Sequence, residues 1–234
     1  MSHPPPSRRS FLRHAGGAGL ILGVSGCTRG GSPKSESQQA ESVCPGEDLM
    51  REHGVLNRIL LIYDEGVRRI QSGEELDPDT VSASAGIIRI FIEEYHEKLE
   101  EEEVFPRFEA AHRLRDLTEV LRAQHAAGRG LTAEILALSR PERFRTPEAR
   151  SRLADRMTLY ARMYRPHEAR EDTVLFPALH QILRPGELAA LGEAFEAKEE
   201  RLFGKGGFAD MVRRTTTIEE ALGLYDLSRF TPKP

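Results

Sequence analysis

The sequence predicts an all-α protein: an antiparallel four-helix bundle, hemmed by an extra C-terminal helix. Three observations carry this. Apolar residues recur at alternating intervals of three and four through several long segments, the period of a helix with one buried face. No segment sustains period-two alternation, so no sheet is expected. Finally, "HEKLEEEEVFPRF", from His96, and "HEAREDTVLFPAL", from His167, share one layout 71 residues apart. Each has His, then Glu four residues on, an acid after it, and later an aliphatic residue, Phe and Pro.

Residues 1–27 read as an export signal rather than as part of the fold. Arg8-Arg9 precedes Phe11-Leu12 and a Gly-rich apolar stretch from Ala15 to Gly26, too short to span a bilayer. Ser-Arg-Arg-x-Phe-Leu resembles a twin-arginine signal, a route that exports folded proteins. Val24-Ser25-Gly26-Cys27 resembles a lipobox, in which Cys27 would be the lipid attachment site. The expectation is export by the twin-arginine route. The domain would then be lipid-anchored to the envelope and face the periplasm or the cell exterior. Residues 28–46 are polar and Gly/Ser-rich and read as a flexible tether, with a reach of roughly 24 Å. Cys44 within it reads as an incidental exposed thiol.

The bundle is assigned to residues 47–183. The first helix carries Leu49, His53, Leu56, Leu60, Tyr63, Val67 and Ile70 on one stripe, and ends where Gly73 and Asp77-Pro78-Asp79 interrupt it. The second carries Ala85, Ile88, Ile92, Tyr95 and Leu99, and Phe105-Pro106 marks its end or a kink. The third carries Leu117, Leu121, His125, Gly128, Thr132 and Ile135, and stops before Pro141. Thr146-Pro147-Glu148 has the chemistry of a helix start. The fourth helix then carries Leu153, Met157, Tyr160, Tyr164, His167, Glu171 and Val174, with Pro166 disturbing it locally. Residues 184–234 hold a fifth amphipathic segment, Glu187 to Phe203. Phe208 to Pro234 shows no clear period and is expected to wrap the bundle as a tail.

Each predicted bundle helix places one histidine on its inward stripe: His53, His96, His125 and His167. His53 and His125 are 72 residues apart, so the repeat covers a whole helical hairpin. A Glu at i+4 lies one turn above its His on the same face, so Glu100 and Glu171 can aim at the same centre as His96 and His167. A single His on an apolar stripe is most often an ordinary core residue. Four on four helices, two with Glu at i+4, are better explained by metal. Unpartnered burial of these groups would cost several kcal/mol. Four imidazoles and two carboxylates suit iron, manganese or zinc, and two bridging carboxylates would tie two ions together. Counting bonds for two octahedral ions leaves one or two positions for an exogenous ligand.

Glu97 and Glu168, which follow the two motif histidines, are possible supporting groups, as are Tyr95, Tyr160 and Tyr164. The Glu100–Glu103 run otherwise reads as a solvated acidic face. His112 and His180 read as surface residues, and Phe105 and Phe176 as core plugs. The net charge of −4, without a Lys/Arg-rich run, makes nucleic acid and anionic lipid poor partners, so membrane contact is expected through the lipid anchor alone. Two cysteines, both ahead of the first helix, build neither a disulfide framework nor a Cys-rich zinc site.

With "REHGVLNRIL", "HEKLEEEEVFP", "LRAQHAAG" and "HEAREDTVLFPAL" in place, the chain resembles the hemerythrin-like (HHE cation-binding) family over about Glu47 to Leu183. The resemblance implies a four-helix bundle with two non-haem iron ions bridged by oxo or hydroxo and carboxylate groups, with manganese or zinc less favoured. It also implies a small diatomic ligand or peroxide as partner. Oxygen-carrier hemerythrins have a fifth His four residues from the third-helix His, and Asp in the last motif. Here Leu121 and Arg129 flank His125 at that distance, and the last motif has Glu171. Four His with two Glu is more similar to the bacterial repair-of-iron-centres di-iron proteins. Their Cys-bearing N-terminal domain has no counterpart in this tether. The expected function is an envelope-anchored di-iron protein that binds or reacts with O2, peroxide or NO, in stress defence or iron-centre maintenance. The alternatives are a non-catalytic sensor, carrier or store, and a bundle that metal merely staples.

Overall fold

Proline opens most helices of this chain. Pro45, Pro78, Pro141, Pro147 and Pro185 all stand in a first turn. There the missing N–H costs nothing and the fixed φ suits the helix. The computed structural model describes residues 44–233. The leader, Cys27 and tether residues 28–43 lie outside the described residues. Helix α1 is Pro45–Ser72, and α2 runs over 78–110. Helix α3 is Arg115–Leu138, and α4 runs over 147–182. A short helical link, Pro141–Phe144, joins α3 to α4. Two further helices follow, α5 at Pro185–Phe203 and α6 at Gly207–Leu222. No strand occurs among the described residues.

Short links make consecutive helices antiparallel neighbours. Gly73 ends α1 in the left-handed conformation, at φ +71°. The Asp77 side chain accepts from the Asp79 N–H to start α2, and Thr146 Oγ1 accepts from Ala149 N–H to start α4. Helix α4 packs against both α1 and α3, and α2 against α1 and α3, which closes a four-helix ring. Its core includes Leu49, Leu56, Ile88, Ile92, Leu121, Ile135 and Met157, all buried. Each such side chain is worth about 1.5–3 kcal/mol on burial.

Four expectations need correction. The tether does not reach residue 46. Pro45 and Gly46 belong to α1 and are buried, and a Cβ on Gly46 would stand 3.2 Å from Phe176 Cβ. Nor does Phe105-Pro106 stop the second helix, which continues to Ala110. Widened π turns at Glu100–Val104 and Glu171–Leu175 sit just ahead of the two Phe-Pro pairs. They shift the stripe by one residue, so Leu175 is buried where Val174 was expected. Finally, the segment after Phe208 is not a plain tail. Met211, Thr215, Ile218, Glu219 and Leu222 form the buried face of α6. That helix is clamped to α1 by Arg58, whose Nε donates to Glu219 Oε1 at 3.0 Å and whose Nη2 donates to Thr216 Oγ1 at 2.7 Å.

Candidate metal centre

The four bundle helices bring His53, His96, Glu100, His125, His167 and Glu171 together in the core, all at most 4% exposed. Two groups of possible ligand atoms result, His53–His96–Glu100 and His125–His167–Glu171, each lying within 4.8 Å. The carboxylates interlock the groups. Glu100 Oε2 lies 3.6 Å from His96 Nε2 in its own group and 3.4 Å from His125 Nε2 in the other. Glu171 Oε2 lies 3.1 Å from His167 Nε2 and 3.4 Å from His53 Nε2. The Nε2 atoms of His125 and His167 are 3.2 Å apart, which suits neighbouring ligands on one ion at about 2.0–2.1 Å from each.

The outward nitrogens explain why the rings face inward. His53 Nδ1 is 2.7 Å from Asp172 Oδ1, and His96 Nδ1 is 2.8 Å from Glu52 Oε2. His125 Nδ1 is 3.1 Å from Glu101 Oε1, and His167 Nδ1 is 2.9 Å from Gln124 Oε1. An acceptor at Nδ1 fixes the tautomer with its proton there and leaves the Nε2 lone pair for a metal. These acceptors obey the repeat: Glu52 and Gln124 precede a histidine, while Glu101 and Asp172 follow the motif glutamates. Glu101 is therefore not part of a solvated face. Phe105 and Phe176 fill core volume, but each also stacks on an inward histidine, His125 and His53 respectively, with ring centres 5.6 Å apart.

A further layer repeats as well. Tyr164 O–H donates to Glu97 Oε1 at 2.6 Å, and Arg129 Nη2 is 2.7 Å from Glu97 Oε2 and 2.6 Å from Glu101 Oε1. Asn57, the repeat counterpart of Arg129, donates to Glu168 Oε2 at 3.0 Å. Glu97, Glu101 and His125 could themselves surround a cation, but the Arg129 guanidinium already supplies that positive charge. Gly128 makes room for Tyr164, because a Cβ there would fall 2.1 Å from the phenol oxygen. Tyr160 stacks on Tyr164 at 4.3 Å, one layer further from the histidines. Tyr95 packs edge-on against Phe203 at 5.5 Å. His112 and His180 are exposed. Cys44 is half-buried, with Sγ 3.3 Å from His180 Nε2.

Burial and close charges set the protonation of these inward groups. Both oxygens of Glu100, both of Glu171 and His96 Nε2 are buried with no aligned hydrogen-bond partner. Burial, with the Glu171 charge beside it, holds Glu100 well above the carboxylate range. Burial opposes ionisation of Glu171 too, but His167 and His53 outweigh it and hold that carboxyl low. Burial pushes His53 down, yet Asp172 and Glu171 raise it to about 10. Burial dominates at His96, driving it well below the usual range, and at His125, lowered to about 4. Burial also lifts Glu97 to about 8 and Glu168 to about 7. Four imidazoles and two carboxylates, buried together, form a donor set that fits divalent cations.

Sequence reading gave no supporting role to Glu52, Gln124, Asp172, Asn57 or Arg129, although the repeat marks all five. Residues 44–179 match the family model of the hemerythrin HHE cation binding domain. Over 99% of its length the chain is 45% identical to uncharacterized proteins of Mycobacterium bovis and Mycobacterium tuberculosis, and covers 94% of each. That likeness extends past the family domain through α5 and α6. No solved structure matches the chain.

Proposed function

Because the chain belongs to the hemerythrin HHE cation-binding family, we propose that it is a non-haem di-iron protein, tethered to the cell envelope, that reacts with O2, peroxide or nitric oxide. One observation carries the metal reading. Four imidazoles turn Nε2 toward two buried carboxylates, 3.1–3.6 Å away and without an aligned hydrogen bond, while their Nδ1 atoms are engaged behind them. His53, His96 and Glu100 would hold one ion and His125, His167 and Glu171 the other, with each glutamate reaching across to a histidine of its neighbour. Bound iron would supply redox chemistry and Lewis acidity. The chain's own share is to orient the rings, exclude water and keep the carboxylates free of competing hydrogen bonds.

Reaction is favoured over reversible oxygen carriage by Arg129. It is one of the two residues, with the apolar Leu121, at the four-residue distance from His125 where a carrier has its fifth histidine, and its guanidinium is tied to Glu97 and Glu101. Neither residue so placed is a ligand, so a four-His, two-Glu shell of the repair-of-iron-centres type would leave an additional position for an exogenous ligand. The envelope location rests on the Arg8-Arg9 and Val24–Cys27 motifs. No helix among the described residues is long and apolar enough to cross a membrane.

Mixing the anaerobically reduced, iron-loaded protein with O2, peroxide or NO tests the reaction. The reading expects irreversible loss of reducing equivalents to O2 or peroxide, or stoichiometric uptake of NO. An oxygenated spectrum that reverses fully under argon would make the protein a carrier instead.

A further inference from the structure

The two halves of the site are related by the repeat, but their outer flanks are not. Outside His167 lies a cavity of about 160 Å³, between α3 and α4. Its walls are Leu117, Val120, Leu121 and Pro166, its floor is Gln124 with His167, and Arg170 lines it as well. Val120 is 53% exposed, and Pro166 and Arg170 are also exposed, so the cavity opens to solvent. The floor is the hydrogen-bonded pair itself, His167 Nδ1 to Gln124 Oε1.

The repeat places Asp48, Leu49, Glu52, Tyr95 and His96 at the corresponding positions of the other half. All five are buried. Helices α5 and α6 cover them. Phe203 of α5 meets Tyr95 edge-on at 5.5 Å, and Phe208 of α6 lies under the Arg51 guanidinium at 4.6 Å. Tyr95, where the other half has Pro166, also fills its own flank.

We propose that the cavity beside His167 is the route by which a small uncharged ligand reaches the centre, and that α5 and α6 seal its repeat-related twin. This rests on the function proposed above. The walls favour such a ligand, because a hydrated ion would surrender hydration to four apolar side chains. The space suffices for more than one diatomic molecule, since a water takes about 30 Å³ in the liquid. The last barrier is the Gln124 side chain against the His167 ring, and its swing would admit the ligand to the Nε2 side.

Xenon tests the cavity without any metal chemistry. In the full chain, NMR under xenon pressure should shift the amides around 117–124 and 166–170. Val120→Trp, at an exposed position, should abolish those shifts while leaving helicity and iron content unchanged. The same variant, iron-loaded and reduced, should take up NO about tenfold more slowly or worse, with the same final amplitude. Phe208→Ala should add xenon shifts near Leu49 and Tyr95. Absence of xenon shifts at the cavity, or an NO rate untouched by Val120→Trp, would overturn the route. An unchanged pattern in Phe208→Ala would overturn the sealing role of α6. A chain that binds xenon there but holds no metal would instead overturn the function proposed above.

Discussion

Replacing Asp172 with alanine removes the acceptor 2.7 Å from Nδ1 of His53 and leaves all six inward side chains in place. Asp172 is a third exposed on its side chain, so little packing is lost with it. The expected damage is to ring orientation and to the basicity of Nε2. Loss of such a supporting acceptor typically weakens metal binding about 10–100-fold, or about 1.4–2.7 kcal/mol. Asp172→Asn keeps an oxygen acceptor and should cost less than the alanine variant. Chelator competition on the reduced protein gives the affinity, and metal analysis at saturation gives the stoichiometry. Weakened affinity with two ions still bound is the expected result. Unchanged affinity would refute the view that the outward hydrogen bonds set the rings. Outright loss of one ion would make Asp172 a ligand itself.

Gly128→Ala should destabilise the protein, although alanine ordinarily gains up to about 1 kcal/mol over glycine inside a helix. The new Cβ would meet the Tyr164 hydroxyl at 2.1 Å, and overpacking of this kind costs about 1–3 kcal/mol. Thermal unfolding reads the sign, and a raised Tm would contradict the close approach. Metal loading should release protons, because His53, raised to about 10, holds one at neutral pH, and burial favours the neutral form of Glu100 as well. Metal affinity should therefore fall on acidification; a pH-independent affinity would contradict this. His53 also predicts the pH trend of the metal-free fold. Its folded value of about 10 lies above the ordinary 6.5, so its contribution is complete below about pH 6.5 and is lost as pH rises toward 10. Urea unfolding of the metal-free chain across that range, with and without His53→Gln, isolates the term. Cys27→Ala should move the protein from the membrane fraction to the soluble one; unchanged partitioning would remove the lipid anchor.

Much of this architecture is legible in the residues. The three-and-four spacing from Leu49 to Ile70 already defines a helix with His53 facing in, and the doubled His-x-x-x-Glu marks a shared centre. The spacing failed where the backbone leaves the regular α-helix. At the π turn over Glu171–Leu175 one extra residue enters, so the inward position passes from Val174 to Leu175. It failed again at α6, because Thr215 and Glu219 occupy its inner stripe and hide the apolar period. There the partner is the Arg58 guanidinium of α1, a contact that no local pattern announces. Supporting groups escaped for another reason. A histidine and a carboxylate on one helix face form a visible local motif, whereas Asp172 meets His53 across 119 residues of chain. The repeat displays Asp172 as the acid after the motif glutamate, but it does not show which histidine that acid meets.

The central claim is a two-ion centre held by four histidines and two glutamates. Metal analysis joined to Mössbauer spectroscopy on the iron-loaded chain and its Glu171→Ala variant tests it most directly. The account predicts two irons per chain, spin-coupled through shared ligands when oxidised, and loss of coupling together with at least one iron in the variant. Two uncoupled irons in the parent chain, or a full complement retained without Glu171, would contradict it.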